Sequence, residues 1–218
     1  METIPEIKSE RIYLIFSITT TKVGKMIRRV TKYPYNHVSV SLDESLEQVY
    51  SFARFYRDTP LYGGFVRETR LRYNDHNGIA TIKVCAVPVT SEQYKKAVNF
   101  IANVSANSEC YIYNAISAAF APVHKRIRIE RAFTCAEFAI ELLNFCHIEG
   151  APDPRRYCSI EKLIEIYGEY DIYTGPFPDY DPPSDDYYNR KNAILRRVKT
   201  TVFSNARLIG RLCRRIIS

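Results

Sequence analysis

Of the 218 residues, six cysteines and four histidines are the side chains best suited to covalent chemistry, and Cys135 stands apart from the rest. It lies inside Thr134-Cys135-Ala136-Glu137, a capping-box pattern in which the threonine hydroxyl accepts from the Glu137 amide and the Glu137 carboxylate reaches back to the Thr134 amide. That box predicts a helix whose first position is Cys135. Unpaired amide N–H groups and the helix dipole there favour an anion. The thiolate is the nucleophilic form of cysteine, so this is where a depressed thiol pKa is expected. Cys146 sits near the opposite end of the same segment, where the dipole opposes a thiolate, and Cys85 lies within an apolar strand pattern. Cys110, Cys158 and Cys213 have no comparable setting. No C-x-x-C pair occurs, and the sparse spacing supports neither a disulfide framework nor a structural zinc site.

A thiol nucleophile needs a base within hydrogen-bond reach, and the base needs a group that orients it. His37 opens the strictly alternating run His37-Val-Ser-Val-Ser-Leu42, in which Val38, Val40 and Leu42 face one way and His37, Ser39 and Ser41 the other. A strand would hold that imidazole rigidly at a sheet surface. His76 lies in the turn Asn74-Asp75-His76-Asn77-Gly78, His124 lies in a basic loop, and His147 follows the helix that Cys135 begins. His37 is therefore the expected base.

The elements that must position this pair read as a sheet followed by helices. Arg11 to Ser17 is an apolar, β-rich run, and the spacing from Thr21 to Thr31 predicts a short helix. His37–Leu42 and Glu47–Phe55 form an expected hairpin, and Ala80–Val87 adds a strand. Gly63-Gly64-Phe65-Val66-Arg67 reads as a turn or a close backbone approach. A helix capped by Ser91 or Thr90 follows, then helical stretches at Tyr111–Phe120, Thr134–Cys146 and Ser159–Tyr167, and a closing strand at Tyr170–Tyr173. The class is α+β, with an antiparallel sheet packed against helices.

The motifs resemble those of the circularly permuted NlpC-like, papain-like superfamily, whose permuted branch includes lecithin:retinol acyltransferase-like proteins. The resemblance rests on Asn36-His37-Val-Ser-Val-Ser-Leu, on Val49-Tyr-Ser-Phe in the next strand, on Tyr113-Asn114, and on Thr134-Cys135-Ala-Glu-Phe, with histidine ahead of cysteine. It covers roughly residues 11–173. It implies a thiol at a helix amino terminus packed against a sheet that carries the histidine, and no metal or organic cofactor. The family's third polar residue lies on the strand after the histidine, and the matching position is Ser51. Glu47, on the same strand face, is the alternative orienter. Tyr113 matches a tyrosine that precedes the cysteine in permuted relatives, so it is expected to line the pocket or donate to an oxyanion.

The implied activity is that of a cysteine hydrolase or acyl transferase acting on an amide, ester or thioester, with a peptidase or amidase leading and a lipid-directed acyltransferase or phospholipase as the alternative. A non-catalytic binding protein on the same fold is the rival, because serine orients an imidazole weakly.

The formal charge of +7 is concentrated at one end. Residues 187–218 hold nine of the 31 basic residues and no acid, which leaves 22 basic against 24 acidic residues elsewhere. The expected organisation is a domain at 1–174, a Pro- and Asp-rich linker at 175–186 and a basic amphipathic helix at 187–218. Ile194, Leu195, Val198, Val202, Leu208, Ile209, Leu212 and Ile216 recur at helical spacing in that last segment. Such a helix suits docking on the body or contact with an anionic membrane surface. No nucleic-acid recognition motif accompanies it. The charged amino terminus lacks the apolar stretch of a signal peptide, and no run of about 18 apolar residues occurs. The expected location is cytoplasmic, with peripheral membrane contact through the basic segment.

Overall fold

In the computed structural model, residues 10–19, 28–29, 32–59, 61–75, 78–178, 188 and 194–217 are described. The helix expected at Thr21–Thr31 falls almost entirely outside them. The chain runs through β1 (Glu10–Ile18), β2 (His37–Ser41), β3 (Val49–Arg54) and β4 (Gly63–Glu68), then the single turn α1 (Arg70–Tyr73). The small hairpin β5 (Asn74–Asp75) and β6 (Gly78–Ile79) leads into β7 (Thr81–Val89) and α2 (Ser91–Ala106). The remainder comprises β8 (Ile112–Tyr113), α3 (Ala115–Phe120), β9 (Ala132–Phe133), α4 (Cys135–Phe145), α5 (Ile160–Tyr167), β10 (Asp171–Pro176) and α6 (Ile194–Ile217).

Six strands form one antiparallel sheet in the order β10-β7-β1-β2-β3-β4. Its central strand β1 is apolar without a break from Ile12 to Phe16 because both of its faces are covered there. Ile12, Leu14 and Phe16 join Val38, Val40 and Phe52 on the face that α2, α4 and α5 cover. Tyr13 and Ile15 lie on the other, with Val49, Tyr73, Ile82 and Phe177. The alternation in β2 is thus read by two different environments, with valines to the helical layer and Ser39 and Ser41 to the opposite face, both fully buried.

Three local readings change. The segment at residues 63–68 is the edge strand β4 rather than a turn. Its glycines are needed for close approach, since a Cβ on Gly63 would collide with the Ala53 carbonyl and one on Gly64 would stand 3.1 Å from the Tyr111 carbonyl oxygen. The stretch Tyr111–Phe120 divides into β8, which pairs in parallel with β9, and the short helix α3, capped by the Asn114 side chain. The stretch from residue 175 starts inside the fold, because Gly175 and Pro176 complete β10 and Phe177 is buried against Tyr73 with ring centroids 4.1 Å apart. Residues 179–186 lie outside the described residues.

Helix α4 is the element that carries the site. Phe138, Ala139, Leu142 and Leu143 are fully buried, and Phe138 meets the rings of Phe52, Phe65 and Phe100. Phenylalanine and leucine side chains stabilise by about 1.5–3 kcal/mol each when fully buried, so the helix is seated firmly across β2 and β3.

Candidate active site

The capping box forms as its residues dictate. Glu137 N–H donates to Thr134 Oγ1 at 3.2 Å, and Thr134 N–H donates to Glu137 Oε2 at 2.7 Å. Glu137 has a second task. Its Oε1 accepts from Ser117 Oγ at 2.6 Å and from Arg126 Nε at 3.1 Å, and Arg126 also reaches Glu141 at 3.1 Å. Arg126 is 4% exposed, so α3 and the loop before β9 are pinned to the first turn of α4 by a buried ion pair. Cys135, half-buried at the first position of α4, is held by this frame.

His37 is the first residue of β2. Its Nε2 lies 2.7 Å from Glu68 Oε1, the last residue of β4, and 3.2 Å from Ser39 Oγ. The His37 side chain also hydrogen-bonds that of Cys135. Glu68 is 2% exposed, and both of its oxygens are filled. Ser39 donates to Oε2 at 2.9 Å, and the hydroxyls of Ser51 and Tyr73 donate to Oε1 and Oε2 respectively. A buried carboxylate must be paired and hydrogen-bonded to remain charged, and this one is.

The electrostatics follow from that arrangement. Burial works against the imidazolium of His37, but the Glu68 carboxylate and the Cys135 sulfur outweigh it and bring the pKa up to about 10. Burial likewise opposes the Glu68 anion; His37 and the Arg72 guanidinium prevail and hold it well below the usual carboxylate range. For Cys135, desolvation is overcome by His37 and by hydrogen bonds from the backbone of Val38 and Ala136, so its pKa falls. Cys85, Cys146 and Cys158 move the opposite way, each pushed up to about 11 by burial.

Ser51 lies in β3 as the motif placed it and is fully buried, yet its hydroxyl serves Glu68 rather than the imidazole. Glu47 is not an orienter: it is exposed in the turn ahead of β3, with its amide on Asp43 Oδ2 at 2.7 Å. The register pairs Ser41 with Val49, which puts Glu47 beyond the end of β2 opposite to His37. Tyr113 is in β8 rather than a helix and lines the same cavity as Cys135. Burial, Cys135 and Glu137 raise its pKa, which keeps the hydroxyl protonated and able to donate.

Glu68 is the residue that motif reasoning missed. The signal was there, since in Gly64-Phe65-Val66-Arg67-Glu68 the alternation puts a carboxylate on the same strand face as the buried Val66. A charge on an inward strand position is a functional candidate. Cys135 opens onto a cavity of about 400 Å³, whose wall includes Tyr35, Tyr113, Pro122, Ile140, Tyr157 and Cys158. Its lining is mostly apolar and aromatic, with Arg156 and Glu161 among its charged members. No protein-family model, curated protein or solved structure matches this chain.

Proposed function

We propose that this protein is a cysteine-dependent hydrolase or acyl transferase that cleaves an amide, ester or thioester bond, on a circularly permuted NlpC-like, papain-like domain. The observation that carries this is the continuous chain of contacts from the Cys135 thiol through His37 to the buried Glu68 carboxylate. The lowered thiol pKa and the raised histidine pKa both favour a thiolate–imidazolium pair. The thiolate attacks the carbonyl carbon, and the resulting oxyanion accepts hydrogen bonds from the Cys135 amide and the Tyr113 hydroxyl. Collapse expels the leaving group, which takes the proton from His37 and leaves an acyl thioester. Neutral His37 then deprotonates water or another acceptor, whose attack restores the thiolate and completes hydrolysis or transfer. Glu68 stabilises the imidazolium and fixes the ring throughout.

Peptide-like amides are the leading substrates, and the apolar lining of the cavity favours acyl esters or thioesters as the second class. A binding protein without an effective triad is the rival reading, and the contact between Glu68 and His37 weighs against it.

Limiting alkylation with an iodoacetamide probe at neutral pH, followed by peptide mapping, tests the proposal. Cys135 should label ahead of the exposed Cys213, and Cys135→Ser should abolish the fast phase. Equal rates at the two thiols, with a Cys135 pKa near the ordinary value of about 8.5, would overturn it.

A further inference from the structure

The basic segment does not float free of the body, and only part of its apolar set is buried against it. Helix α6 docks by one face only. Leu208 and Leu212 pack with Ile129, Ala132, Ala115 and Ile116. Arg197, Arg211 and Arg215 point inward, donating to main-chain carbonyls at Asp58, at Cys110, Glu130 and Arg131, and at Arg128. At 100° per residue these positions share one side of the helix. The neighbouring, outward flank carries Leu195, Val198, Val202, Ile209 and Ile216, and all five are exposed, Leu195 by 86% and Ile216 by 74%. Arg196, Lys199 and Arg214 are exposed on the next flank round the helix, with Phe203 among them at 65%.

We infer that this outward face of α6 is a docking surface for an anionic lipid bilayer. Five aliphatic side chains in one exposed stripe exceed what scattered surface residues produce, and such a stripe marks an interaction site. Charge decides the occupant. From residue 187 to the end the chain has no acid, so a second copy laid antiparallel or parallel along this stripe would set cation against cation. A nucleic acid would take up the arginines and leave the aliphatic stripe in water. An anionic membrane satisfies both, because the apolar face enters the acyl boundary while the flanking cations meet phosphate headgroups. No helix among the described residues is long and apolar enough to cross a membrane, so α6 lies in the surface plane.

The docked side of α6 supplies a second consequence. Ala115 and Ile116 of α3 pack on Leu208 and Leu212, and the same short helix lines the cavity at Ser117 and Ala118. The membrane-facing helix therefore rests on the wall of the cavity into which Cys135 opens. The inference stands independently of the chemistry at that cysteine.

Vesicle flotation with the full chain provides the test, using phosphatidylcholine alone and an equal mixture of phosphatidylcholine with phosphatidylglycerol. Binding should be at least about tenfold stronger to the anionic vesicles at low ionic strength and should weaken as salt shortens the screening length. The double variant Val202→Asp/Ile209→Asp changes only exposed positions; it should keep the thermal midpoint and lose flotation. Arg196→Glu/Arg214→Glu should lose the preference for the anionic lipid. Failure of the full chain to float, or equal flotation of the aspartate variant, overturns the inference. So does a dimer in light scattering that the aspartate variant dissociates, which would assign the stripe to a second copy.

Discussion

His37 Nε2 lies 2.7 Å from Glu68 Oε1, although the two residues stand two strands apart in the sheet. The carboxylate comes from the edge strand, reaches past β3, and fixes the imidazole by its distal nitrogen. Everything else in the site is arranged around this contact. Ser39, Ser51 and Tyr73 hold the carboxylate, and Cys135 meets the same imidazole.

Replacing Glu68 by glutamine keeps the shape and removes the charge. The His37 pKa should fall and that of Cys135 should rise, so that labelling and turnover at neutral pH drop by about 10²-fold or more. The pH dependence of alkylation reads both shifts directly. Glu68→Ala should also destabilise by several kcal/mol, of order 3, because it strands the buried hydroxyls of Ser51 and Tyr73.

Ser51→Ala removes one donor to Glu68 and should cost about 1–2 kcal/mol of stability, with a modest loss of rate in which the Cys135 pKa moves upward. Glu47→Gln changes an exposed turn residue. It should alter stability by no more than about 0.5 kcal/mol and leave the rate untouched. Paired urea melts and labelling rates separate the two.

The raised His37 pKa also sets a direction for stability against pH. The folded protein holds this proton up to about 10, and the unfolded chain releases it near the ordinary 6.5. The stabilisation is therefore full below pH 6.5 and is lost as pH rises through about 10. The advantage of the native chain over His37→Asn in thermal midpoint should shrink across that interval. Glu68 acts in the other sense: its contribution is present above the ordinary 4.5 and is lost only in strong acid.

Arg126→Met should break the buried pair with Glu137 and leave an uncompensated carboxylate beneath the first turn of α4. The expected loss is about 3–5 kcal/mol, read by urea denaturation. The fast phase of Cys135 alkylation should slow in parallel, since the helix start that holds the thiol is loosened.

Much of this was legible where the signal is local. The capping box identified the start of α4, and strict alternation identified β2 and the side on which Ser39 lies. The failures share a physical cause. Gly63 and Gly64 carry turn propensity, yet they lie in a strand because the backbone of β3 and Tyr111 comes too close for a side chain. Ile112 and Tyr113 form a two-residue parallel pair with Ala132 and Phe133, a contact that no local window contains. Glu68 was hidden because its role depends on burial between elements. In the segment at 194–217, spacing revealed an apolar stripe but not which of its residues would meet the body. Leu208 does so, whereas Leu195 and Ile216 face outward.

Cys135 and the groups it meets are contributed by separate parts of the chain. His37, Ser39, Ser51, Glu68 and Tyr73 all belong to the meander from β2 to α1, whereas Cys135 arrives on a helix that follows β7 and α2. A ribosome releases the base and its carboxylate long before the thiol, and a chain in which α4 has not docked presents Cys135 as an ordinary cysteine. On the proposed mechanism, thiol reactivity would therefore depend on completed folding, and a chain whose α4 has not docked would carry no activated sulfur.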